Sequence, residues 1–330
     1  IMGARNAMYD RGILRSYDLG ARTISVGNLT TGGTGKTPLV ALVAEILAAN
    51  GEKVCILTRG YGRAKPKWRV LVSDGVTVLV EADTGGDEPV EISKKLLGKA
   101  IVIADANRVA AAKWTKENFE ITTFILDDGF QHRRAKRDLD IVCIDATDPC
   151  GNGKMLPAGS LRESIAGLNR ADAIVITRSD QADNVADTES RIRAGNSSAP
   201  IFKASTRINR FVLLDDFLEG SHFHGSESLP RDSFAFCGIG NPENFFRTLE
   251  KFGAEFVAGK AFKDHFNYRQ ADIESVENRA KKAGANILVT TGKDAVKLKA
   301  LSFTMPCYVA LTDKMIGDFD DFKKLILASS

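Results

Sequence analysis

Short apolar runs rich in valine and isoleucine recur along the first half of the chain, separated by segments with helical patterns. The runs span residues 23–26, 53–57, 100–103, 121–126, 140–144 and 173–177. Consecutive apolar positions are typical of strands that helices cover on both faces, as in a parallel sheet. Residues 36–50 repeat apolar positions at helical spacing and stop at Gly51. The pattern therefore predicts strand–helix–strand units and an α/β fold.

The second half of the chain predicts a smaller α/β unit of its own. Residues 178–199 are polar, and residues 206–232 break into short segments, which indicates a linker. Beyond the linker, the pattern predicts strands at 233–237, 286–290 and 307–311 and helices at 242–252 and 270–283. We therefore predict a first domain over residues 1–205, a linker over 206–232 and a smaller α/β domain over 233–330.

Composition narrows the class of protein without identifying it. The 330 residues are enough for two domains, 44% are hydrophobic, and the net charge is only +3. Such a nearly neutral chain does not fit a protein that coats nucleic acid, so any basic surface must be local. No apolar run approaches the roughly 20 residues of a membrane span. We expect a soluble or peripheral protein with no nucleic-acid partner, and the sequence indicates no obligate protein partner.

The cysteines and histidines do not predict a metal site. The five cysteines are widely spaced and contain no C-x-x-C pair, so we expect reduced, mostly buried thiols. His222 and His224 have no third ligand near them in the sequence, which favours a polar loop. From the sequence alone, His265 is also better explained as a structural histidine than as a base.

A glycine-rich segment joins the first predicted strand to the first predicted helix. It reads Gly27-Asn28-Leu29-Thr30-Thr31-Gly32-Gly33-Thr34-Gly35-Lys36-Thr37. In that context, glycines let backbone N–H groups turn toward phosphate oxygens, and the helix N-terminus favours anions. Lys36 is expected to neutralise the β- and γ-phosphates and Thr37 to bind magnesium. The segment predicts a loop that binds a nucleoside triphosphate through Thr30, Thr31, Gly32, Gly33, Thr34, Gly35, Lys36 and Thr37.

The loop departs from the usual G-x-x-x-x-G-K-[ST] pattern because Thr30 replaces its first glycine. Residues 32–37 resemble the variant loops of partitioning ATPases, which usually carry a signature lysine where this chain has Thr31. An ATPase switch of the partitioning type is therefore an alternative, although that lysine is absent. A dinucleotide-binding oxidoreductase is a weaker alternative, because Glu243 stands where the third glycine of G-x-G-x-x-G would follow residues 238–240.

Charged residues follow the predicted strands at the edge where open α/β sheets bind ligands. Asp127 and Asp128 follow the apolar run at 121–126 and offer carboxylates for magnesium. Residues 59–69 form a basic run without acids, which suits an anionic group on a substrate or a membrane. For the lysines of this run, a solvated loop is the alternative. Asp87 opens a predicted helix, where an N-terminal cap is the simpler interpretation.

Eight segments together are specific enough to identify a family. In chain order they are SVGNLTTGGTGKTP (25–38), TRGYGR (58–63), GDEP (86–89), LDDGFQHR (126–133), DLDIVCID (138–145), GNGKMLPAGSLRE (151–163), FCGIGNPENFF (236–246) and TTGKDAVKL (290–298). With these segments the chain resembles the tetraacyldisaccharide 4'-kinases, the lipid A pathway kinases of Gram-negative bacteria. A chance match to one segment is plausible, but a match to eight in order is not.

The resemblance implies an activity, a location and an architecture. The activity is transfer of the ATP γ-phosphate, with magnesium, to the 4'-hydroxyl of tetraacyldisaccharide 1-phosphate, which gives lipid IVA for lipopolysaccharide. The location is the cytoplasmic face of the inner membrane, with the protein bound peripherally to its anionic surface. The architecture is a P-loop NTPase-type parallel-sheet domain joined by a short β linker to a smaller α/β domain that closes over the nucleotide.

The resemblance also implies roles for individual residues. The catalytic residues it implies are Asp87, His265, Asp127, Lys36 and Arg162, with Asp87 paired to His265 as the base for the sugar hydroxyl. The metal ligands it implies are Thr37, Asp128, Gln131 and Glu163, and the substrate-binding residues are Asn28, Arg59, Tyr61, Arg108 and His132.

The chain departs from the family pattern at four positions outside the glycine-rich segment. Ser160 and Ser164 stand where the family often has proline, Phe266 where a second histidine is common, and Gly292 where glutamate is usual. Residues 2–15 resemble the end of a longer hydrophobic helix of the family. Their mixture of apolar and arginine residues suits a helix lying on anionic lipid, and a helix that only packs on the first domain is the alternative.

Overall fold

The computed structural model describes residues 2–32, 34–182, 184–220, 225–226, 228 and 231–328. The strands are β1 (Arg22–Asn28), β2 (Val54–Thr58), β3 (Val70–Ser73), β4 (Ala100–Ala104), β5 (Thr123–Asp127), β6 (Leu139–Asp145), β7 (Ala173–Thr177), β8 (Ile201–Leu213), β9 (Ser233–Cys237), β10 (Phe256–Ala261), β11 (Ile287–Thr291) and β12 (Cys307–Ile316). The helices are α1 (Met2–Asp10), α2 (Lys36–Ala49), α3 (Ala82–Gly85), α4 (Asp87–Lys95), α5 (Arg108–Asn118), α6 (Val185–Gly195), α7 (Leu214–Glu219), α8 (Pro242–Lys251), α9 (Gln270–Lys282), α10 (Gly292–Ala295) and α11 (Phe319–Ala328), and a 3-10 helix covers Ile165–Arg170.

All of these strands belong to one sheet, in the order β10-β9-β11-β12-β8-β7-β6-β1-β5-β2-β4-β3. Its neighbouring strands run parallel except for two pairs, β3 with β4 and β8 with β12. β1 lies between β5 and β6, with Ile24 opposite Ile125 and Val26 opposite Ile141. The carboxyl ends of β1, β2 and β5 therefore meet at one edge of the sheet.

Alternate side chains of the central strands enter two separate cores, which explains why their apolar runs are continuous. In β2, Ile56 packs in the core that contains helix α2, whereas Leu57 packs in the core that contains α5. Both faces of the strand are covered, so no position can be polar without a hydrogen bond. The predicted α/β class is confirmed, and the five cysteines are buried and free, as expected.

The sheet continues through the predicted boundary between the first domain and the linker. β8 crosses residue 205, pairs in parallel with β7 on one side and antiparallel with β12 on the other, with Thr206 opposite Lys314. Residues 206–213 are thus strand, and the rest of the predicted linker begins with α7. His222 and His224 lie outside the described residues. The division into two domains stays a prediction.

Two close backbone approaches fix the edge of the sheet at the end of β1. A Cβ atom on Gly27 would lie 2.6 Å from the backbone nitrogen of Phe130, and one on Gly129 would lie 2.6 Å from Ser25 Oγ. Only glycine leaves room for the β5–β6 connection to cross β1 here.

Among the described residues, no helix has the length and apolar character needed to cross a bilayer.

Gly27→Ala is expected to destabilise the protein by about 1–3 kcal/mol, because the new methyl group overlaps a backbone atom that cannot move alone. Gly3→Ala is the matched control, since an added Cβ there meets no atom within 4 Å. Urea unfolding followed by circular dichroism measures both variants. Equal midpoints for the two variants would show that the crossing at Gly27 is not a tight contact.

Candidate active site

A cavity of about 390 Å³ opens at the carboxyl ends of β1, β2, β5 and β11. One wall consists of the glycine-rich loop and the residues that follow β2 and β5, and the other consists of residues from the second half of the chain. The lining includes Gly32, Thr34, Gly35, Lys36, Thr37, Arg59, Tyr61, Asp127, Asp128 and Arg162 on the first wall and Ile239, Asn244, Asp264, His265 and Lys293 on the second. Both halves of the chain thus contribute to one site.

The glycine-rich loop is shaped from inside by Asn28. This side chain is buried, and its Nδ2 donates hydrogen bonds to the Thr30 carbonyl at 2.8 Å and to Thr34 Oγ1 at 3.0 Å. Thr177 Oγ1 at the end of β7 donates to the Thr34 carbonyl at 2.8 Å. Gly35 has a left-handed backbone (φ 73°) and directly precedes α2. The loop is therefore held open above the N-terminus of α2, where backbone N–H groups favour anions.

Not all of the predicted nucleotide-binding residues line this cavity. Gly32, Thr34, Gly35, Lys36 and Thr37 do. Thr30 and Thr31 instead pair with the segment before Arg162, since Thr30 bridges Leu161 and the Thr31 amide donates to the Ser160 carbonyl at 2.8 Å. The structure thus gives these two threonines the role of anchoring the loop. Gly33 lies outside the described residues.

The two carboxylates that follow β5 have different surroundings. Asp127 is buried and accepts a hydrogen bond from Thr58 Oγ1 at 2.8 Å. Asp128 accepts one from Arg162 Nη1 at 2.6 Å and lies 3.5 Å from Lys36 Nζ. Burial, together with the nearby charges of Glu88 and Asp128, raises the pKa of Asp127 to about 6.

Asp128 is held as an anion although it is largely buried. Burial acts to raise its pKa, but the charges of Lys36 and Arg162 and the hydrogen bond from Arg162 outweigh burial and lower it. One of the two adjacent carboxylates is therefore charged at neutral pH and paired with cations, while the other titrates closer to neutrality.

The structure brings together Asp87 and His265, which are 178 positions apart in the sequence. Asp87 Oδ2 lies 2.9 Å from His265 Nδ1. Burial acts to raise the pKa of Asp87, but the hydrogen bond from His265 and the charges of Lys293 and Lys297 lower it. The same hydrogen bond raises the pKa of His265, against the effects of burial and of Lys293. The pairing implied by the family resemblance is present in the geometry.

Two lysines surround the Asp87–His265 pair, and the sequence predicted no role for either of them. Lys293 Nζ lies 3.0 Å from Glu88 Oε1 and 3.4 Å from His265 Nε2. Lys297 Nζ lies 3.1 Å from Asp294 Oδ1 and 3.9 Å from Asp87 Oδ2. Both lysines belong to the segment TTGKDAVKL, so the family resemblance of that segment was the signal in the sequence that could have identified them. Together they connect α10 and its following turn to the beginning of α4.

A third lysine lies against the glycine-rich loop. Lys314 on β12 is buried, and its Nζ donates to Thr206 Oγ1 at 3.0 Å. The same Nζ lies 2.9 Å from the position that a Cβ would occupy on Gly35. Burial lowers the pKa of Lys314 to about 8. No motif marked this residue, which lies beyond the predicted strand at 307–311 and opposite Thr206 in the predicted linker.

Gln131 and Glu163 do not line the cavity. Glu163 Oε1 accepts from Gln131 Nε2 at 2.9 Å, and Glu163 Oε2 accepts from Asn6 and from Arg170, both at 2.8 Å. Because protein donors occupy both oxygens, direct metal coordination by Glu163 is not supported by this geometry. Gln131 Nε2 also donates to the Asn28 carbonyl at 2.8 Å. The pair instead connects α1 with the segment that carries Arg162.

Of the predicted substrate-binding residues, Arg59 and Tyr61 line the cavity, with Arg59 Nη1 3.2 Å from Tyr61 Oη. Asn28 is enclosed within the loop. Arg108 is buried and donates to the Asp127 carbonyl at 3.3 Å, so it supports the strand end. His132 lies behind the cavity, where burial and the charge of Arg108 lower its pKa to about 4. His132 is therefore neutral at physiological pH.

Thr37 and Asp128 have the chemistry and position to hold magnesium. Both line the cavity, and Asp128 Oδ1 is buried without a hydrogen-bond partner among the described residues. Within the same residues, no group of three histidine, cysteine, aspartate or glutamate side chains could hold a metal. Thr37 and Asp128 would supply the one or two protein oxygens that magnesium typically takes, with phosphates and water completing its shell.

The parallel sheet and the lysine-bearing glycine loop at the end of its central strand define an α/β protein of the P-loop NTPase type. The sequence model of the family described as tetraacyldisaccharide-1-P 4'-kinase matches residues 1–329, and the chain belongs to this family. The predicted family, and with it the kinase class of enzyme, is confirmed, and the partitioning-type switch is not favoured.

Individual relatives agree with this assignment over nearly the whole chain. The tetraacyldisaccharide 4'-kinase of Desulfotalea psychrophila is 38% identical, over 99% of this chain and 92% of its own length. The enzyme of the same name from Geobacter metallireducens is 41% identical, over 95% and 90%. The crystal structure of the "apo" form of LpxK from Aquifex aeolicus in complex with ATP is 30% identical, covers 99% of this chain and 94% of its own, and superimposes with a TM-score of 0.78.

The adjacent carboxylates predict opposite effects on stability. Asp127→Asn should raise the free energy of unfolding at pH 8 by about 2 kcal/mol, because the raised pKa means that the folded state disfavours the charged form. This gain should vanish as the pH falls through about 6 toward 4. Asp128→Asn should instead lower stability at pH 8, because its lowered pKa means that folding favours the anion.

Urea unfolding of both variants and the wild type at pH 8 and pH 4 tests the pair. Each variant is the control for the other, since both replace one carboxylate with an amide at neighbouring positions. Changes of the same sign at pH 8 would contradict the assignment of a charged Asp128 and a readily protonated Asp127.

Proposed function

We propose that this chain transfers the γ-phosphate of ATP to the 4'-hydroxyl of tetraacyldisaccharide 1-phosphate, giving lipid IVA in lipid A biosynthesis. The observation that carries the proposal is that Lys36 and His265 line the same cavity, and that His265 contacts the buried Asp87 behind it. The acceptor is the lipid named by the family, and the donor is the ligand named for the Aquifex LpxK structure.

In this proposal the glycine-rich loop holds the ATP phosphates. The N-terminal N–H groups of α2 and the ammonium of Lys36 neutralise negative charge, which is the main requirement of phosphoryl transfer. Magnesium, held by Thr37 and Asp128, would supply further positive charge at the phosphates. Arg162 lies beside Asp128 and stabilises the charge of the transferred group.

The Asp87–His265 pair acts on the acceptor hydroxyl. Asp87 has a lowered pKa and is an anion at neutral pH, so it can accept the 4'-hydroxyl proton as the oxygen attacks the γ-phosphorus and ADP leaves. His265 orients the carboxylate by donating from Nδ1. Lys293, 3.4 Å from Nε2, favours this tautomer because its ammonium can donate to an unprotonated Nε2.

We also propose a peripheral location at the cytoplasmic face of the inner membrane and two domains that carry the two halves of the site. Helix α1 is the segment that the first part of this proposal concerns. It is tied to the site by the Asn6–Glu163 hydrogen bond at 2.8 Å and to Arg133 through Asp10 at 2.7 Å. These contacts pack α1 on the first domain, and interfacial lipid binding by the same segment is proposed in addition.

The direct test incubates the protein with labelled ATP, magnesium and tetraacyldisaccharide 1-phosphate, and follows a bisphosphorylated lipid by chromatography. Lys36→Ala should reduce its formation by about 10³-fold, because the charge opposite the β- and γ-phosphates is lost. Lys113→Ala, an exposed lysine on α5, is the control and should behave as the wild type. ATP hydrolysis that is unaffected by acceptor, with no labelled lipid, would instead favour the switch.

The Asp87–His265 pair predicts non-additive kinetics. Asp87→Ala should lower kcat by about 10²–10⁴-fold, His265→Ala by less, and the double variant should be little worse than Asp87→Ala, because both act on one proton. Nucleotide affinity, measured by calorimetry, should be unchanged in all three variants. Losses that multiply in the double variant would show that the two residues act independently.

A further inference from the structure

The connection between β2 and β3 carries an exposed tryptophan within the basic run at 59–69. Trp68 is 62% exposed, although large aromatic side chains are usually buried. Lys65 Nζ lies 4.1 Å from the centre of its ring, and Lys67 is exposed beside it. Residues 64–68, called here the Trp68 turn, thus present an indole and two cations to solvent without an acidic residue.

The base of this turn is rigid and lies against the catalytic pair. Arg63 is buried and donates to the Ala104 carbonyl and to the Pro66 carbonyl, both at 2.8 Å. The Ala64 amide donates to the Asp83 carbonyl at 2.8 Å. A Cβ on Gly62 would lie 3.9 Å from His265 Nδ1. The backbone that carries the Trp68 turn therefore adjoins the Asp87–His265 pair.

The Trp68 turn lies on the same edge of the sheet as the cavity. The strand that follows it begins with Val70 opposite Ala104, the carboxyl end of β4. The far end of that strand leads to Val76, which is 79% exposed and follows Gly75, next to Ala100 at the amino end of β4. Trp68 and Val76 thus mark opposite edges of the sheet, and of these two side chains Trp68 shares the edge with the Asp87–His265 pair.

We propose that the Trp68 turn is a membrane anchor that binds a bilayer containing anionic lipid. Tryptophan prefers the interfacial layer of bilayers, where its ring is apolar and its N–H remains hydrated, and lysines beside it attract anionic headgroups. The anchor is distinct from helix α1, and the inference rests on the proposed function, which requires a membrane lipid to reach this edge. Insertion of Trp68 sets the cavity mouth against the headgroups that carry the acceptor hydroxyl.

Binding is tested without acceptor or ATP. The chain contains two tryptophans, so Trp114→Phe leaves Trp68 as the only indole. In that variant, vesicles of phosphatidylcholine with phosphatidylglycerol should shift the emission to shorter wavelength, and lipids brominated on the acyl chain should quench it. Trp68→Ala should weaken vesicle sedimentation by about tenfold, and Trp68→Phe should restore part of the binding. Val76→Ala on the opposite edge is the matched control and should bind as the wild type.

A second pair of measurements distinguishes the electrostatic contribution of Lys65 and Lys67 from the insertion of the Trp68 ring. The double variant Lys65→Gln, Lys67→Gln should lose affinity for vesicles with phosphatidylglycerol and keep its weaker affinity for phosphatidylcholine alone. Turnover of acceptor embedded in vesicles should fall in Trp68→Ala, whereas turnover of acceptor in detergent micelles should stay at the wild-type rate.

Absence of quenching, or wild-type sedimentation of Trp68→Ala, would overturn the anchor. An emission shift with acceptor micelles but none with acceptor-free vesicles would overturn it as well, and would make the turn part of the acceptor site. Turnover in micelles by the wild type tests the proposed function separately, because that assay contains no bilayer.

Discussion

The two halves of the chain meet around Lys297, a nearly buried lysine whose charge is compensated by an acidic residue from each half. Lys297 Nζ lies between Asp294 of the second half and Asp87 of the first, at 3.1 Å and 3.9 Å. A cation removed from water is costly unless it is paired, and the contact of α10 with α4 adds the charge of Asp87 to that of Asp294. The same arrangement places His265 beside Asp87. The Asp87–His265 pair thus forms where buried charges of the two halves meet.

Environment, and not residue type, separates the charge states of the acids in and beside the cavity. Asp127 and Asp128 are neighbours, yet burial raises the pKa of the first while Lys36 and Arg162 lower that of the second. Asp87 is kept anionic by His265, Lys293 and Lys297 in spite of its burial. Asp128, whose Oδ1 has no hydrogen-bond partner among the described residues, suits a metal. Asp87, which faces His265, suits a base.

Sequence patterns predicted the strands whose burial is uniform and missed β8 and β10, in which buried or half-buried positions are mixed with exposed ones. β1, β2 and α2 follow from continuous apolar runs and a helical repeat, because both faces of the sheet are covered there. β10 alternates between half-buried and exposed positions at the edge of the sheet, and β8 mixes buried and exposed positions, so neither produced a recognisable run. In the site, the glycine-rich loop followed from local spacing. Asp87 and His265 could be paired only through the family resemblance, because no spacing rule spans 178 positions.

The antiparallel pairing of β8 with β12 is what lets the second half of the chain reach the glycine-rich loop. It reverses the chain direction relative to β7, so that β12 passes the loop and places Lys314 Nζ 2.9 Å from the Cβ position of Gly35. A substituent at Gly35 would have to displace this ammonium, and the left-handed backbone of Gly35 itself disfavours any residue with a side chain. β12 therefore lies in contact with the loop. This contact makes the glycine-rich side of the cavity, like the side at His265, a product of both halves of the chain.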